Sequence, residues 1–500
     1  MSNKKPFYIT TTLPYVNAEP HIGHALEFIR ADLIARSKKL AGFDVFFNTG
    51  TDEHGIKVYQ KAKQLNLDPQ VYVDQASAKF KEILPMLGMA TNVDDIKFNF
   101  IRTTDKHHIL AAQAFWNLVK ENGEKAQDGP YIYKKNYSIK YCVGCELEKT
   151  ESELVNGRCS LHPLQELEII AEENYFFKFS AFQKKLLELY ENRPGFVIPS
   201  TRQNEIRAFV ERGLEDFSIS RLASKMPWGV PVPGDPTQVM YVWFDALVDY
   251  ISAIGWPDDE IALKKEPGAF KKWWVETGGV VQYCGKDNLR QQTAMWQSML
   301  MAAGLTPSKN VIINGFVTGE GGIKMSKSLG NVVNPLDIVK EYGTDALRYY
   351  VAREVSPFED SPFTLEKFKE AYNANLANGV GNLTSRIMKM SEANLKPISV
   401  SPDLAKEFTD ALEHYDIKSA CDVVWEKISV LDSMIQKEEP FKKLKVEATK
   451  AQALELIEKL VRGLADIALH LEVIMPETAA KIQGCIKLNK VPAEPLFMRK

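Results

Sequence analysis

The stretch YITTTLPYVNAEPHIGHALEFIRADLIARSKKLAG, residues 8–42, predicts a strand, a turn and a helix in that order. Residues 8–15 are apolar and β-branched, as is typical of a short buried strand. Downstream, apolar residues recur at helical spacing until Gly42, which suits a helix C-cap. The stretch therefore predicts a strand that passes directly into the N-terminus of a helix.

Two of the chain's 8 histidines, His21 and His24, lie at this junction. The first turn of a helix presents backbone N–H groups and the positive end of the helix dipole, which both favour an anion. The pair therefore indicates a phosphate site. Taken alone, the pair is equally consistent with histidines that cap the helix or fill the core.

The composition describes a globular chain of several domains. Its 500 residues are 45% hydrophobic and 25% charged, and no apolar run reaches the length of a membrane span. The start MSNKKPFYIT lacks the apolar region of a signal peptide, so we expect a cytoplasmic location and no membrane partner. A net charge of −3 means that any nucleic acid must be met by local patches.

A second motif lies far along the chain, in FVTGEGGIKMSKSLGN, residues 316–331. Glycines allow close backbone approach to a ligand, and the ammonium groups of Lys324 and Lys327 can follow a charge that moves during a reaction. The stretch predicts a mobile phosphate-binding loop. A solvated surface loop is the alternative for these residues alone.

A third motif is CVGCELEKTESELVNGRCSLH, which gives two chelating pairs, Cys142 with Cys145 and Cys159 with His162. Thiolate and imidazole at this spacing are typical of a tetrahedral zinc site. Four protein ligands leave no open position, so we expect one structural zinc ion. Reduced structural cysteines are the alternative.

The combination of HIGH early and KMSKS late resembles the class I aminoacyl-tRNA synthetases. Further stretches resemble methionyl-tRNA synthetases in particular, and they occur in family order through nearly the whole chain. They are PYVNAEPHIGH (14–24), NTGTDEHG (48–55), ENYFFKFS (173–180), YVWFDALVDYI (241–251), QYCGKDN (282–288), INGFVTGEGGIKMSKSLGN (313–331), YGTDALRYY (342–350) and NLANGVGNLTSR (375–386).

The resemblance implies a Rossmann-type nucleotide-binding α/β domain that is split by a zinc-knuckle connective insert and followed by an all-α helical bundle. The expected divisions are the first catalytic half (1–115), the insert (116–230), the second catalytic half (231–315), the KMSKS loop with a stem-contact linking fold (316–371) and an anticodon-binding bundle (372–500). The implied reaction is that of a methionine–tRNA ligase. Methionine is activated with ATP and Mg, and the methionyl group then passes to tRNA(Met), the initiator included.

The resemblance also assigns roles to single residues. His21 and His24 would donate to ATP phosphates, and Lys324 and Lys327 would close over the pyrophosphate. The expected ATP-binding residues are Gly23, Arg221, Gly285, Asp287 and Lys327. The expected methionine-binding residues are Leu13, Tyr15, Asp52, Trp243, Ala246, Leu247, Tyr250, Gln292 and Trp296.

Two positions depart from the family pattern. Many members have an apolar residue where this chain has Asn288 and a histidine where it has Gln292. Both adjoin the expected methionine pocket, and a glutamine can still donate a hydrogen bond toward sulfur or water. Trp243 and Tyr250 have plain core filling as their alternative role.

The C-terminal part is expected to read the anticodon. Asn382 and Arg386 are four apart and so share a helix face, and Phe441 follows a proline where the family often has a stacking tryptophan. A solvated helix surface is the alternative for the first two. The chain ends soon after the bundle, so we expect a monomer.

Three other functions remain open at this point. They are a catalytically inactive synthetase-like tRNA-binding protein, a class I synthetase for another small apolar amino acid, and a small nucleotidyl transferase. Residues 116–230 offer too little chain for an editing domain beside the knuckle, and a nucleotidyl transferase lacks both the knuckle and the helical bundle.

Overall fold

The computed structural model describes residues 4–93, 96–145, 147–149, 154–257, 268–323, 325 and 333–500. Its strands are β1 (Pro6–Thr11), β2 (Asp44–Thr51), β3 (Ile96–Arg102), β4 (Ile132–Cys142), β5 (Leu147–Lys149), β6 (Leu154–Val155), β7 (Arg158–Cys159), β8 (Glu168–Phe177), β9 (Val197–Ile198), β10 (Phe217–Ser218), β11 (Ser220–Leu222), β12 (Pro231–Val232), β13 (Asp235–Met240), β14 (Val281–Gly285), β15 (Asn310–Asn314), β16 (Val317–Thr318) and β17 (Ser361–Pro362).

Its helices are α1 (Ile22–Leu40), α2 (Ile56–Gln64), α3 (Pro69–Met86), α4 (Lys106–Lys125), α5 (Gln183–Asn192), α6 (Ser200–Glu211), α7 (Val242–Ala246), α8 (Asp249–Ser252), α9 (Trp296–Ala302), α10 (Pro335–Tyr342), α11 (Thr344–Tyr349), α12 (Leu365–Ala371), α13 (Asn382–Asn394), α14 (Lys406–Glu413), α15 (Ile417–Glu438), α16 (Pro440–Lys443), α17 (Glu447–Ile474) and α18 (Pro476–Leu488). Short 3₁₀ turns span Phe179–Phe182, Lys286–Asn288 and Glu320–Gly322. Wider π-helical turns span Lys271–Val275, Gln291–Met295, Tyr350–Glu354 and Tyr372–Gly381.

A six-stranded parallel sheet forms the centre of the molecule, in the order β3-β2-β1-β14-β15-β9. β1 pairs with β2 on one side and with β14 on the other. The chain therefore proceeds outward from β1 in one direction and later returns on its other side. Such a reversal opens a crevice at the carboxyl ends of β1 and β14, where doubly wound sheets bind ligands. The predicted Rossmann-type fold is confirmed.

β1 is shorter than the apolar run 8–15 suggests, because it ends at Thr11. The amide of Thr12 still reaches the carbonyl of Tyr283 at 3.2 Å and donates to Oε1 of Glu27 at 2.7 Å. Pro14 lacks an N–H group and cannot continue a central ladder. The rest of the run therefore turns out of the sheet and forms the wall of the crevice.

α1 begins and ends close to the predicted positions. His21 is its N-cap and Ala41 its C-cap, and Gly42 follows with a φ of 85°. That left-handed φ favours glycine and ends the helix.

Two buried charges on α1 connect it to distant parts of the chain. Arg30 donates to four backbone carbonyls that follow the GTDALRYY stretch, those of Val351, Val355, Ser356 and Pro357. Two residues further along, Asp32 pairs with Arg348. The first helix of the catalytic half is thereby joined to the linking region.

Residues 116–230 contain all four strands of a separate antiparallel sheet, in the order β10-β8-β4-β5, and a small hairpin of β6 and β7. β9 lies in the same range but pairs with β15, so this segment also supplies the edge strand of the central sheet. The division of the chain into domains stays a prediction.

The C-terminal region is helical, as predicted. α13, α15, α17 and α18 pack around a shared apolar core that is continuous with the core under α1. The π-helical turn Tyr372–Gly381 precedes α13 and contains a kink at Gly379. In the described part of the chain, no helix combines the length and apolarity that crossing a bilayer requires.

Candidate active site

A cavity of about 360 Å³ lies at the carboxyl ends of β1 and β14, beside the first turn of α1. It brings together most residues that the sequence assigns to ATP or methionine. Those on its wall are Leu13, Tyr15, His21, Gly23, His24, Asp52, Trp243, Ala246, Leu247, Tyr250, Gly285, Asp287 and Gln292. Segments far apart in sequence thus converge on one crevice.

The two histidines at the start of α1 form a reciprocal cap. Nδ1 of His21 accepts from the amide of Gly23 at 3.1 Å, and Nδ1 of His24 accepts from the amide of His21 at 3.2 Å. The rings stack with centroids 3.7 Å apart. The capping role that the sequence left open is therefore real, and both residues line the cavity as well.

This cap decides which atoms can meet an anion. The amides of His21 and Gly23 are already used, and the amide of Ile22 donates to the carbonyl of Val333 at 3.2 Å. Because each Nδ1 accepts a hydrogen bond, a neutral ring carries its proton on Nε2. The N–H groups that remain to meet an anion at this helix start are thus those of the imidazole rings.

Burial, with a smaller contribution from His21, holds the pKa of His24 well below its usual value. A neutral imidazole is then the form present at neutral pH. Such a ring donates to a phosphate oxygen without the desolvation cost of a buried imidazolium.

Gly23 is constrained by its neighbour. A Cβ at this position would lie 3.0 Å from Cε1 of His21. Any side chain would therefore force the histidine ring to shift by a few tenths of an ångström.

Lys324 and Lys327 lie outside the described residues. The residues on either side place the ends of their loop near α1. The carbonyl of Val333 accepts from Ile22, and Met325 packs against the core that includes α1. The predicted roles of the two lysines stay predictions.

The apolar end of the cavity is built by α7 and α8, which follow β13. Tyr250 is buried, and its hydroxyl accepts from Nε2 of Gln292 at 2.7 Å. Oε1 of Gln292 in turn accepts from Gln282 at 2.5 Å. Gln292 is therefore held on both sides and fixes the tyrosine ring in the cavity wall.

Trp296 is fully buried and does not line the cavity, unlike the other residues assigned to methionine. Its ring packs on that of Tyr250 at a centroid distance of 5.9 Å. It therefore supports the wall from behind.

Asp52 reaches the cavity because two chain segments cross beyond the sheet edge. Its amide donates to the carbonyl of Pro14 at 2.9 Å, and its carbonyl accepts from the amide of Val16 at 3.1 Å. This parallel bridge holds Asp52 beside Tyr15. A carboxylate is thus fixed next to the apolar end.

At the opposite end, Gly285 closes β14, and Asp287 and Asn288 follow in a 3₁₀ turn. Arg221, the remaining residue assigned to ATP, lies on β11 outside the cavity wall. Its guanidinium donates to Ser218 and stacks 4.5 Å above the ring of Tyr241. In this structure Arg221 therefore braces a strand of the antiparallel region.

The predicted metal ligands form one cluster. Among the described residues, the ligand atoms of Cys142, Cys145, Cys159 and His162 all lie within 4.8 Å of one another. Sγ of Cys145 lies 3.5 Å from Sγ of Cys159 and 3.2 Å from Nδ1 of His162. Tetrahedral zinc with bonds of about 2.3 Å to sulfur places its ligands at comparable separations, so this Cys3His set can bind zinc.

The cluster adjoins the cavity. Cys145 lies on the cavity wall, and Nζ of Lys57 donates to the carbonyl of Gly144 at 2.7 Å. A Cβ on Gly144 would meet the His162 ring at 2.5 Å, which explains the glycine between the two cysteines. The Cys3His cluster and the cavity are therefore neighbours in space.

Comparison with known proteins gives a consistent result. The profile described as "tRNA synthetases class I (M)" matches residues 7–388. Methionine–tRNA ligase from Fusobacterium nucleatum is 36% identical over 97% of this chain and 75% of its own length, and that from Rhizobium meliloti is 37% identical over 99% and 93%. The chain belongs to the methionyl-tRNA synthetase family.

Solved structures agree with this assignment. The chain is similar to Mycobacterium tuberculosis methionyl-tRNA synthetase in complex with methionyl-adenylate, with a TM-score of 0.86, 32% identity, and coverage of 99% of this chain and 98% of the other. For the apo form of the same enzyme the TM-score is 0.80 at 29% identity, with coverage of 100% and 99%. The likeness to this family extends through the helical region.

The residues assigned to the anticodon lie on the helical bundle. Asn382 is exposed at the start of α13, and the side chain of Phe441 is 45% exposed at the start of α16. Arg386 is half-buried and pairs with Asp432 of α15. An RNA contact through Arg386 would therefore have to share or replace this ion pair.

Sequence reasoning missed a buried network behind the cavity. Oδ2 of Asp245 lies 2.6 Å from Nδ1 of His54, and Oδ1 lies 2.9 Å from Nε2 of His108. Burial opposes ionisation, but the two histidines hold the pKa of Asp245 down at about 2. The network connects the segment carrying Asp52 to the helix carrying Trp243. His54 lies in the stretch NTGTDEHG and Asp245 in the stretch YVWFDALVDYI, both of which the sequence had singled out. Nothing in the sequence, however, indicates that these two residues pair.

Two further carboxyl groups on the wall, those of Glu27 and Asp249, were also missed. Burial raises the pKa of Glu27 to about 8, with Asp287 acting in the same direction against the Thr12 amide. Asp249 lies one residue before Tyr250 and Glu27 lies three residues after His24, but their burial is visible only in the fold.

Proposed function

We propose that this chain activates L-methionine with Mg–ATP to form methionyl-adenylate and pyrophosphate, and then transfers the methionyl group to the 3′-terminal adenosine of tRNA(Met), the initiator included. One observation carries the proposal. The capped histidines of α1 and the wall formed by Asp52, Trp243 and Tyr250 line the same cavity at the switch point of the sheet.

In the first step, a carboxylate oxygen of methionine attacks the α-phosphorus of ATP, and the bond to the bridging oxygen of pyrophosphate breaks. Charge builds on the phosphate oxygens as five-coordinate phosphorus forms, so fixed donors lower the barrier. His21 and His24 supply Nε2–H donors that their mutual cap holds in position. Lys324 and Lys327 close over the leaving pyrophosphate.

In the second step, a ribose hydroxyl of the terminal adenosine attacks the acyl carbon of the adenylate, and AMP leaves. Gly285 and Asp287 hold the adenosine end of the cavity, which keeps the mixed anhydride oriented for this attack. Their position on the wall at the end of β14 supports the assignment.

Methionine is selected by charge at one end and shape at the other. Asp52 receives the α-ammonium group. The side chain enters the apolar end, where Leu13, Ala246 and Leu247 supply apolar surface and Tyr250 supplies an aromatic contact for sulfur. Trp296 acts indirectly, because its ring supports Tyr250.

One structural zinc ion occupies the Cys3His cluster in this proposal, and it stiffens the insert next to the cavity. The donor set and separations of the four ligands support this. Arg221 acts in the same region by bracing the strands that carry the knuckle, since its guanidinium also lies 5.4 Å from the ring of Tyr141.

The helical region from residue 372 reads the anticodon through Asn382, Arg386 and Phe441. The exposure of Asn382 and Phe441 supports a surface role. The expected domain divisions follow from this assignment. A monomeric assembly and a cytoplasmic location stay predictions, which sedimentation and cell fractionation test.

The test is exchange of pyrophosphate into ATP without tRNA, with methionine, leucine, isoleucine, valine and cysteine assayed in parallel. We expect exchange with methionine only. His24→Ala and Lys327→Ala should each lower it by about 10²-fold or more with unchanged folding, since these donors act mainly in the transition state. His414→Ala, an exposed histidine of the bundle, is the matched control.

Exchange with another amino acid would contradict the proposed substrate. No exchange from folded, zinc-replete protein would favour the inactive tRNA-binding alternative. An unchanged rate in His24→Ala would refute the proposed role of the first turn of α1.

A further inference from the structure

The cavity wall contains a carboxyl group that the proposed mechanism does not use. Asp249 opens α8 and is 1% exposed. Neither of its carboxyl oxygens has a hydrogen-bond partner among the described residues. An unsatisfied buried carboxyl is costly, so its retention on a cavity wall points to a partner that arrives with the ligand.

The position of Asp249 narrows the choice of that partner. It lies one residue before Tyr250, in the amino-acid end of the cavity, and it interacts electrostatically with Asp52. Two carboxyl groups that line the same small cavity can together bind one compact cation that has several hydrogen-bond donors. A primary ammonium group has three N–H donors and can serve both.

We propose that Asp249 is a second carboxyl group of the amino-acid subsite, which binds the α-ammonium group of methionine together with Asp52. The inference rests on the proposed function, because it assumes that the amino acid enters this end of the cavity. It adds a specificity-determining residue that the motif-based assignment does not contain.

The surroundings of Asp249 set its protonation before the ligand arrives. Burial, then the charge of Asp52 and more weakly that of Asp245, raise the pKa of Asp249 well above its usual value, while the nearby amide of Tyr250 opposes them. The other titratable groups around this end are Tyr8, Tyr250, Glu27 and Lys57. Burial and the neighbouring carboxylates therefore favour the neutral carboxylic acid at this position in the free protein.

Binding should change that state. The incoming ammonium group brings a positive charge between the two carboxyl groups, which stabilises the ionised form of Asp249. The proton of Asp249 then leaves to solvent as methionine binds. Methionine binding should thus release protons at neutral pH.

The test compares L-methionine with 4-(methylthio)butanoic acid, which has the same side chain and carboxylate but no ammonium group. Binding to the full-length protein is measured by calorimetry without ATP. We expect Asp249→Asn to weaken methionine binding by about tenfold, as for loss of a charge-assisted contact, and to change binding of the deaminated acid by less than twofold. Asp410→Asn, an exposed carboxyl on α14 of the helical bundle, is the matched control and should leave methionine binding unchanged.

Proton release is measured in two buffers with different ionisation enthalpies. The wild-type protein should release protons on binding methionine, and Asp249→Asn should release markedly fewer. Equal losses for both ligands, no loss for either, or no proton release from the wild-type protein would overturn the inference. Failure of the wild-type protein to bind methionine at all would instead refute the proposed function, so the two failures are distinguishable.

Discussion

Asp32 and Arg348 form an ion pair with an oxygen–nitrogen distance of 2.7 Å, and both side chains are completely buried. The guanidinium also donates to the carbonyls of Leu87 and Ile474, which lie on either side of it. One pair of residues thus joins the first helix of the catalytic region to the long helix α17 of the bundle.

We expect Arg348→Ala to lower the free energy of unfolding by about 3–5 kcal/mol, because it leaves Asp32 buried with one partner fewer. Denaturant titration measures the change. The double variant Asp32→Leu/Arg348→Met should recover part of the loss, since it removes both charges. A single variant as stable as the wild type, or a double variant less stable than Arg348→Ala, would contradict this.

The free energy of unfolding should depend on pH through the ionisation of the Glu27 carboxyl. Burial raises its pKa from about 4.5 to about 8 in the folded protein, so the folded state keeps a proton that the unfolded state loses. Stability contributed by this group is therefore lost as pH rises through that window. Glu27→Gln should flatten the decrease between pH 5 and pH 8, as measured by urea titration at each pH.

The matched control for Glu27 is Glu366→Gln, an exposed carboxyl at the start of α12. It should leave the pH profile unchanged. Identical profiles for the wild type and Glu27→Gln would show that the carboxyl ionises normally.

Zinc should be bound at one equivalent per chain and lost from Cys159→Ser. Gly144 lies between the ligands Cys142 and Cys145, and its carbonyl accepts a hydrogen bond from Lys57. Loss of the metal should therefore loosen the insert where it contacts the cavity. Metal analysis and limited proteolysis measure the two effects. Cys485 lies in α18, and Cys485→Ser is the control that should retain the metal and resist proteolysis like the wild type. If the wild-type protein without zinc were as resistant to proteolysis as the zinc-bound protein, the proposed site would be refuted.

Because Phe441 is proposed to stack on an anticodon base, its substitution should affect tRNA charging and not the tRNA-free activation of methionine. Phe441→Ala should weaken tRNA charging by about 1–3 kcal/mol and leave tRNA-free pyrophosphate exchange unchanged. Val446→Ala, which removes another exposed apolar side chain nearby, is the control. If Phe441→Ala lowered both rates equally, its role would be structural.

The sequence predicts features whose chemistry is local. His21 and His24 lie at the start of α1 and Gly42 follows its end, so the spacing of these residues alone predicts where the helix begins and ends. The Cys3His set is equally local, because short turns bring its two chelating pairs together. The end of β1 at Thr11 was not predicted, although Pro14, which cannot continue a central ladder, is visible in the sequence.

The remaining features depend on contacts between distant segments. Asp249 lies in a motif that the sequence singled out. Only the fold reveals that it is buried, that its carboxyl oxygens have no hydrogen-bond partner in the described part of the chain, and that it shares a cavity wall with Asp52. Likewise, nothing in the sequence pairs Asp245 with His54 and His108. Tertiary burial of charge has no periodicity, so spacing cannot reveal it.

The course of α1 has a consequence for how the protein melts. The helix presents its capped histidines to the cavity at one end, while Arg30 and Asp32 further along are buried against the linking region and α17. The bundle cannot detach without breaking the bond from Arg348 to the carbonyl of Ile474, and the crevice cannot open without moving α1. The parallel-sheet region and the helical bundle should therefore unfold in a single calorimetric transition, as one cooperative unit.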